Sequence, residues 1–230
     1  MTPFGPGLWL FDGPPVMGAA GFQFPTRMAV VRLPDDGGLW LWSPVALTPE
    51  IRNTVDALGA VTHLVAPNNL HYKFLSEWAA AYPDARVYGA PGLTEQVAGT
   101  AIHATLCNEP NPAWGGVLEQ VLVRGNRITT EMVFFHRGSA TALVTDLVQQ
   151  IPIGWFSGWR AVVARLDLMT APIPSVPRKF RMATTDKTKA REDVQRILEW
   201  QIDRLVMAHG GPLTANGKKA LTEAFEWLIR

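Results

Sequence analysis

Short apolar runs separated by turn-forming residues dominate the N-terminal part of the chain. Residues 7–11, 26–33 and 39–42 read as strands, and Pro34-Asp35-Asp36-Gly37-Gly38 suits the turn of an antiparallel hairpin between the last two. A helix follows: Thr48 reads as its N-cap, Pro49 as the first helical position, Glu50 sits at the positive end of the dipole, and Gly59 closes it. Ile51, Val55 and Leu58 form its apolar stripe. Residues 61–66 read as a strand stopped by Pro67. Asn68 or Asn69 is the expected cap of a second helix, along which Leu70, Phe74, Leu75, Trp78 and Ala81 recur at helical spacing. Residues 86–90 form another strand, ended by Pro91.

The middle of the chain has β character, at residues 117–123, 132–135 and 140–145, with a turn at Arg124-Gly125-Asn126. Residues 147–180 resist assignment, which is the pattern of a lid or a docking surface. Asp186 is the expected cap of a long helix with Val194, Ile197, Leu198 and Ile202 on its inner face. A brief strand at 205–208 and a last helix presenting Leu221, Phe225 and Leu228 complete the order. Antiparallel hairpins, β/α alternation, hairpins again and a closing α-β-α fit two β-rich halves packed face to face with helices outside, better than one doubly wound sheet. The expected class is therefore α/β: an αββα sandwich of two mixed β-sheets.

Composition narrows the functional classes. With 230 residues, 47% hydrophobic and 18% charged, the chain can bury a sizeable core. No repeat, low-complexity tract or linker divides it, so residues 1–230 are expected to form a single domain. A net charge of +1 without a long basic run lacks the electrostatic footprint of a nucleic-acid binder. No apolar segment approaches the roughly 20 residues that span a bilayer, and the first cation is Arg27, so no membrane partner and no signal peptide are expected. Cys107 is the only cysteine; this excludes an intramolecular disulfide, suits a reducing cytoplasm and leaves Cys107 as a small, half-buried apolar residue. Gly and Pro cluster at 3–15, 110–116 and 152–177, and Trp155 and Trp159 fall in the third cluster, where they suit a cleft cover or an interface, a homodimer contact included.

Three apolar runs end close to a side chain able to bind metal. His71 follows the strand at 61–66, Asp146 follows 142–145, and His209 follows 205–208 and precedes Gly210-Gly211. Open α/β sheets collect strand ends at one rim, where ligand sites form. Each residue alone could equally be structural: a hydrogen-bonded histidine, or an aspartate capping the next segment. A buried carboxylate nevertheless needs a cation or several donors to stay ionised. Glu131, at the head of a β run, is a further candidate ligand or an exposed edge residue. His63, His103 and His136 read as structural. There is no G-x-S-x-G elbow, Walker loop or G-x-G-x-x-G turn.

Six stretches carry a likeness to a known family: Phe24-Pro25-Thr26-Arg27-Met28, Ser43-Pro44, Ala66-Pro67-Asn68-Asn69-Leu70-His71, Phe134-Phe135-His136-Arg137-Gly138-Ser139, Val144-Thr145-Asp146-Leu147 and Ala208-His209-Gly210. Through them the chain resembles the metallo-β-lactamase-like superfamily, and more closely a bacterial branch of unknown function. The resemblance implies the αββα sandwich with a metal site at one edge between the sheets. Active members carry H-x-H-x-D-H after the strand matching 61–66. The best register here, residues 69–74, keeps only its second histidine as His71, with Asn69 in place of the first and Lys73 and Phe74 in place of the last two ligands. Asp146 matches the bridging aspartate and His209 the last histidine, while a histidine shortly before Glu131 is absent.

The resemblance thus implies an eroded metal centre. Two readings stand open. One is a mononuclear metal-dependent hydrolase, its substrate a small molecule, holding one zinc or iron ion at His71, Asp146 and His209 with a position left for water. The other is a metal-free binding or scaffolding protein that keeps the cleft. Asn69 and Lys73 are cleft candidates in both, and Lys73 could stand where a second cation is missing.

Overall fold

The structure, a computed structural model, describes residues 1–34, 38–93, 97, 99–109 and 111–230. The expected turn at Pro34 to Gly38 therefore lies partly outside the described residues, as does Pro110 of the second Gly/Pro cluster. Among the described residues the larger sheet runs, in spatial order, β1 (Thr2–Gly5), β2 (Leu8–Met17), β3 (Gln23–Arg32), β4 (Leu39–Trp42), β5 (Val61–Ala66), β6 (Arg86–Gly89) and β7 (Ala104–Thr105). Its pairs are antiparallel up to β4 and parallel from β4 onward. The second sheet has the order β11 (Arg204–Met207), β10 (Thr141–Val144), β9 (Glu131–His136) and β8 (Leu118–Val123). There β10 and β11 are parallel and the other pairs antiparallel.

Strands covered on both faces lose the apolar/polar alternation and become apolar throughout. In β4, Trp40 and Trp42 turn into the space between the sheets, while Leu39 and Leu41 pack with Val55 of α1 (Pro49–Leu58) and Leu75 and Trp78 of α2 (Leu75–Ala81). In β9, Met132 and Phe134 meet Trp40 and Trp42, whereas Val133 and Phe135 pack with Val194 and Ile197 of α5 (Lys187–Glu199) and Leu221 of α6 (Gly217–Ala224). Each such side chain contributes about 1.5–3 kcal/mol on leaving water. The layers are α, β, β and α, and both sheets are mixed.

Local signals hold for α1, where Thr48 Oγ1 accepts from Ile51 N at 3.2 Å, and for α5, where the Asp186 carboxylate accepts from Lys189 N. Elsewhere the elements differ from expectation for identifiable reasons. Residues 3–15, rich in Gly and Pro, are mostly strand. β1 pairs only with residues 8–10 of β2, so Pro14 and Pro15 lie on an edge where a missing N–H breaks no ladder. The second helix starts at Leu75 rather than at Asn68 or Asn69, because the Asn68 side chain caps a tight turn instead: its Oδ1 accepts from Leu70 N and His71 N. Ile202 lies beyond the end of α5 yet is buried with its face, and the last helix breaks at Phe225 before α7 (Glu226–Ile229). Within 147–180 lies α3 (Gly158–Leu166), and α4 (Arg178–Ala183) follows. Cys107 is exposed, not half-buried.

Strand directions gather the candidate residues at one rim. β4, β5, β10 and β11 all end there, which brings Ser43, Asn68, His71, Asp146 and His209 to the same edge. β3 and β9 run the other way and begin there, which adds Pro25, Arg27 and Glu131. Met132 N donates to Pro67 O at 2.7 Å and ties the two sheets together at this edge.

Candidate metal centre

His71, Asp146 and His209 converge. His71 Nε2 lies 3.2 Å from Asp146 Oδ2, His209 Nε2 lies 3.4 Å from Asp146 Oδ1, and the two Nε2 atoms are 3.2 Å apart. One atom from each residue can be chosen so that all three lie within 4.8 Å of one another. The second nitrogen of each imidazole is held from behind. His209 Nδ1 donates to Pro25 O at 2.7 Å, which turns Nε2 toward Asp146 and His71 and makes it the nitrogen free to bind an ion when the ring is neutral. His71 Nδ1 lies 2.8 Å from Ser43 Oγ. Ser43 sits at φ 53°, a left-handed conformation costing about 1–3 kcal/mol for a residue with a side chain. Its backbone N–H, donated to Val65 O at 2.9 Å, helps to hold it there.

Asp146 is buried and supplied with donors. Asn68 Nδ2 donates to its Oδ2 at 2.8 Å and to Thr145 Oγ1 at 2.8 Å, and approaches Glu131 Oε2 at 3.4 Å. Burial alone pushes the Asp146 carboxyl up. The His71 and His209 imidazoles facing it outweigh that, by charge and by hydrogen bonding, and hold it well below the usual carboxylate range.

Glu131, fully buried, takes a different place from the three. Its Oε1 accepts from Thr145 N at 2.7 Å, and its Oε2 accepts from Asp146 N at 2.8 Å and Leu147 N at 3.0 Å. It clasps the backbone of the loop that presents Asp146. Burial pushes its carboxyl up, as does the charge of Asp146, while the bonds from Thr145 and Leu147 pull the other way.

The His209 loop is fixed similarly. The Arg27 guanidinium donates to Met207 O at 3.0 Å and to Gly210 O, and Gln150 N donates to His209 O at 3.0 Å. A Cβ on Gly210 would stand 2.8 Å from Gln150 O, so this close approach admits only glycine.

The three residues meet at a cleft of about 740 Å³, lined also by Phe24, Thr26, Ser43, Asn69, Lys73 and Lys179. Both cleft candidates thus border it. Lys73 is exposed, with Nζ 5.8 Å from the Phe74 ring centre. Asn69 Nδ2 reaches Ile128 O at 3.4 Å. Three other histidines stand apart. His63 stacks on Tyr88, exposed His103 meets the same ring edge-on, and buried His136 lies with Nδ1 2.7 Å from Ser139 Oγ. Sequence reasoning missed Ser43, Arg27 and Asn68 as supports of the site. Asn68 had one readable signal, a buried-type amide directly after a strand-ending proline. The other two act on partners distant along the chain, and their one signal was to lie within stretches that carry the family likeness.

The family model "Domain of unknown function (DUF4336)" matches residues 7–96. No curated protein sequence matches the chain. Solved structures do. A metallo-β-lactamase from Pontibacter korlensis is 14% identical, with 99% of this chain and 97% of that one covered at a TM-score of 0.65. The metallo-β-lactamase FIM-1 from Pseudomonas aeruginosa is 11% identical, with coverage of 98% and 94% and a TM-score of 0.66. One from Hirschia baltica is 11% identical, with coverage of 97% and 94% and a TM-score of 0.62. No helix among the described residues is long and apolar enough to cross a membrane. Two mixed sheets face to face, helices outside and a rim gathering His71, Asp146 and His209 agree with these neighbours along almost the whole chain: it has the metallo-β-lactamase-like fold.

Proposed function

We propose that His71, Asp146 and His209 hold one divalent ion, zinc or iron, and that the cleft above them is the site of a metal-dependent hydrolase acting on a small molecule. The observation that carries this reading is the spacing of the donor atoms. Ligands about 2.0–2.1 Å from a tetrahedral ion stand roughly 3.3–3.4 Å from one another; the two imidazole Nε2 atoms are 3.2 Å apart, Asp146 offers Oδ2 at 3.2 Å to His71 and Oδ1 at 3.4 Å to His209, and one donor atom from each of the three residues lies within 4.8 Å of the others. The hydrogen bond from His209 Nδ1 to a backbone carbonyl is the usual device by which a protein aims the other nitrogen at a metal. An ion so held would supply a bound water activated for attack on a scissile bond. Glu131, Asn68 and Ser43 serve as positioning residues, Glu131 through the Asp146 loop rather than as a ligand. The FIM-1 structure, a mono-zinc form, lends support to a single ion in this fold.

The test is metal analysis of protein expressed in metal-replete medium. About one equivalent of zinc or iron per chain is expected, and His209→Ala should reduce it to background. Sub-stoichiometric metal in the unaltered protein overturns the reading. One observation favours the metal-free alternative: with a proton on either imidazole, the 3.2 Å contact between the Nε2 atoms becomes a hydrogen bond and the cluster satisfies itself.

A further inference from the structure

Helix α3 reverses the usual arrangement of an amphipathic helix. Trp159, Val162, Val163 and Leu166, spaced i, i+3, i+4 and i+7, are 54, 59, 41 and 59% exposed. Its protein-facing side offers the small Ala161 and Ala164, packed against Phe22, Ile151 and Phe156, and from the stripe Trp159 adds an edge contact to Phe22. At about 100° per residue, Arg160 and Arg165 fall on the two borders of the outward stripe. Ile153, 78% exposed, lies five residues before the start of the helix. Such a continuous apolar face on a soluble surface marks a contact.

Charge indicates the kind of contact. Between residues 158 and 183 the cations are Arg160, Arg165, Arg178, Lys179 and Arg181, against Asp167 alone, in a chain whose net charge is only +1. Asp167 is already taken, with its carboxylate 3.4 Å from Lys179 Nζ. A second copy of the chain docking through this face would bring Arg160 and Arg165 toward their own equivalents, with no free acid on the helix to receive them. An anionic bilayer surface satisfies both features, because its acyl boundary accepts the stripe and its phosphates accept the bordering arginines. We propose that α3 is a membrane-surface helix that seats the protein on anionic lipid. Attachment of this kind needs no spanning segment.

The seat adjoins the cleft. Arg160 Nε donates to Ala20 O at 3.0 Å, and the Trp159 ring meets Phe22 edge-on at 5.6 Å. Ala19, in the same turn, and Phe24, packed on Phe22, both line the cleft. A protein resting on α3 would therefore hold the cleft mouth beside the lipid headgroups.

Vesicle flotation tests this without reference to metal or hydrolysis. Vesicles of phosphatidylcholine mixed with phosphatidylglycerol should carry the protein up the gradient. Phosphatidylcholine alone should bind it roughly thirtyfold more weakly, as two cations near an anionic surface imply. The double variant Val162→Glu/Leu166→Glu should lose flotation while keeping its circular dichroism, because both side chains are exposed and leave no cavity. Failure of the unaltered protein to float, or equal binding to both vesicle types, overturns the proposal. A solution dimer that the double variant dissociates, without flotation, also overturns it and assigns the stripe to a second copy of the chain.

Discussion

At the end of β9, His136 shows how burial can remove a histidine from its ordinary chemistry. Loss of water around the ring pushes its pKa from 6.5 down to about 4. The folded state thus takes up this proton later than the unfolded state does. Above pH 6.5 both states are neutral and the group costs nothing. Between 6.5 and 4 the unfolded chain protonates first, so stability falls with pH, by about 3 kcal/mol at about 1.4 kcal/mol per unit. Below pH 4 the loss levels off. The difference in urea midpoint between the unaltered protein and His136→Gln should therefore change across that window and stay constant above it; a difference independent of pH would contradict the burial argument. His136 reads as structural from its place beside Arg137 in an expected turn, whereas the structure makes it the last residue of β9. The depth of its burial was not readable, since that depends on Ser139, Thr141 and the close of the sheet around them.

Elements explain both what the sequence disclosed and what it hid. Strand β4 and the consecutive apolar residues 64–66 of β5 and 132–135 of β9 announced themselves because burial on two faces removes the alternation, and α1 because its cap and stripe are local. Helix α3 stayed hidden: its apolar stripe faces water, and Gly/Pro-rich segments surround it. The three metal candidates were legible because each closely follows a buried strand. Their supports were not, since those bonds span long stretches of chain. Glu131 is the clearest case. It was read as a ligand candidate, yet both its oxygens accept from amides of residues 145–147. Glu131→Gln is consequently no conservative change. One end of a carboxamide only donates, so at least one backbone N–H would face another donor. A buried amide left unpaired costs roughly 1–3 kcal/mol, and the Asp146 loop should shift with it. We expect Glu131→Gln to lower the unfolding free energy from urea titration by that amount and to weaken metal uptake 10–100-fold, the usual penalty for disturbing a residue behind a ligand. Metal uptake equal to that of the unaltered protein would show that Glu131 acts on the fold alone.

For the whole molecule the decisive point is that the cluster spans both sheets. His71 follows β5 of the larger sheet, while Asp146 and His209 follow β10 and β11 of the smaller one, and Asn68 bonds across the same gap. An ion shared by His71, Asp146 and His209 would thus staple the sandwich at its rim, and its binding free energy would appear as global stability rather than as local order. Free ion at a hundred times its dissociation constant contributes about 2.7 kcal/mol, worth roughly 5–10 °C in Tm for a chain of this size. Chelation with EDTA should lower the Tm of the unaltered protein by that amount, and added zinc should restore it. His209→Ala should begin near the lower value and respond to neither treatment. The two readings of the cluster diverge here, because hydrogen bonds among His71, Asp146 and His209 join the sheets whether or not metal is present. A protein whose Tm ignores chelator and zinc, while His209→Ala still lowers it, would be one in which these side chains hold the sheets together without an ion, and the cleft would then be a binding site rather than a hydrolytic one.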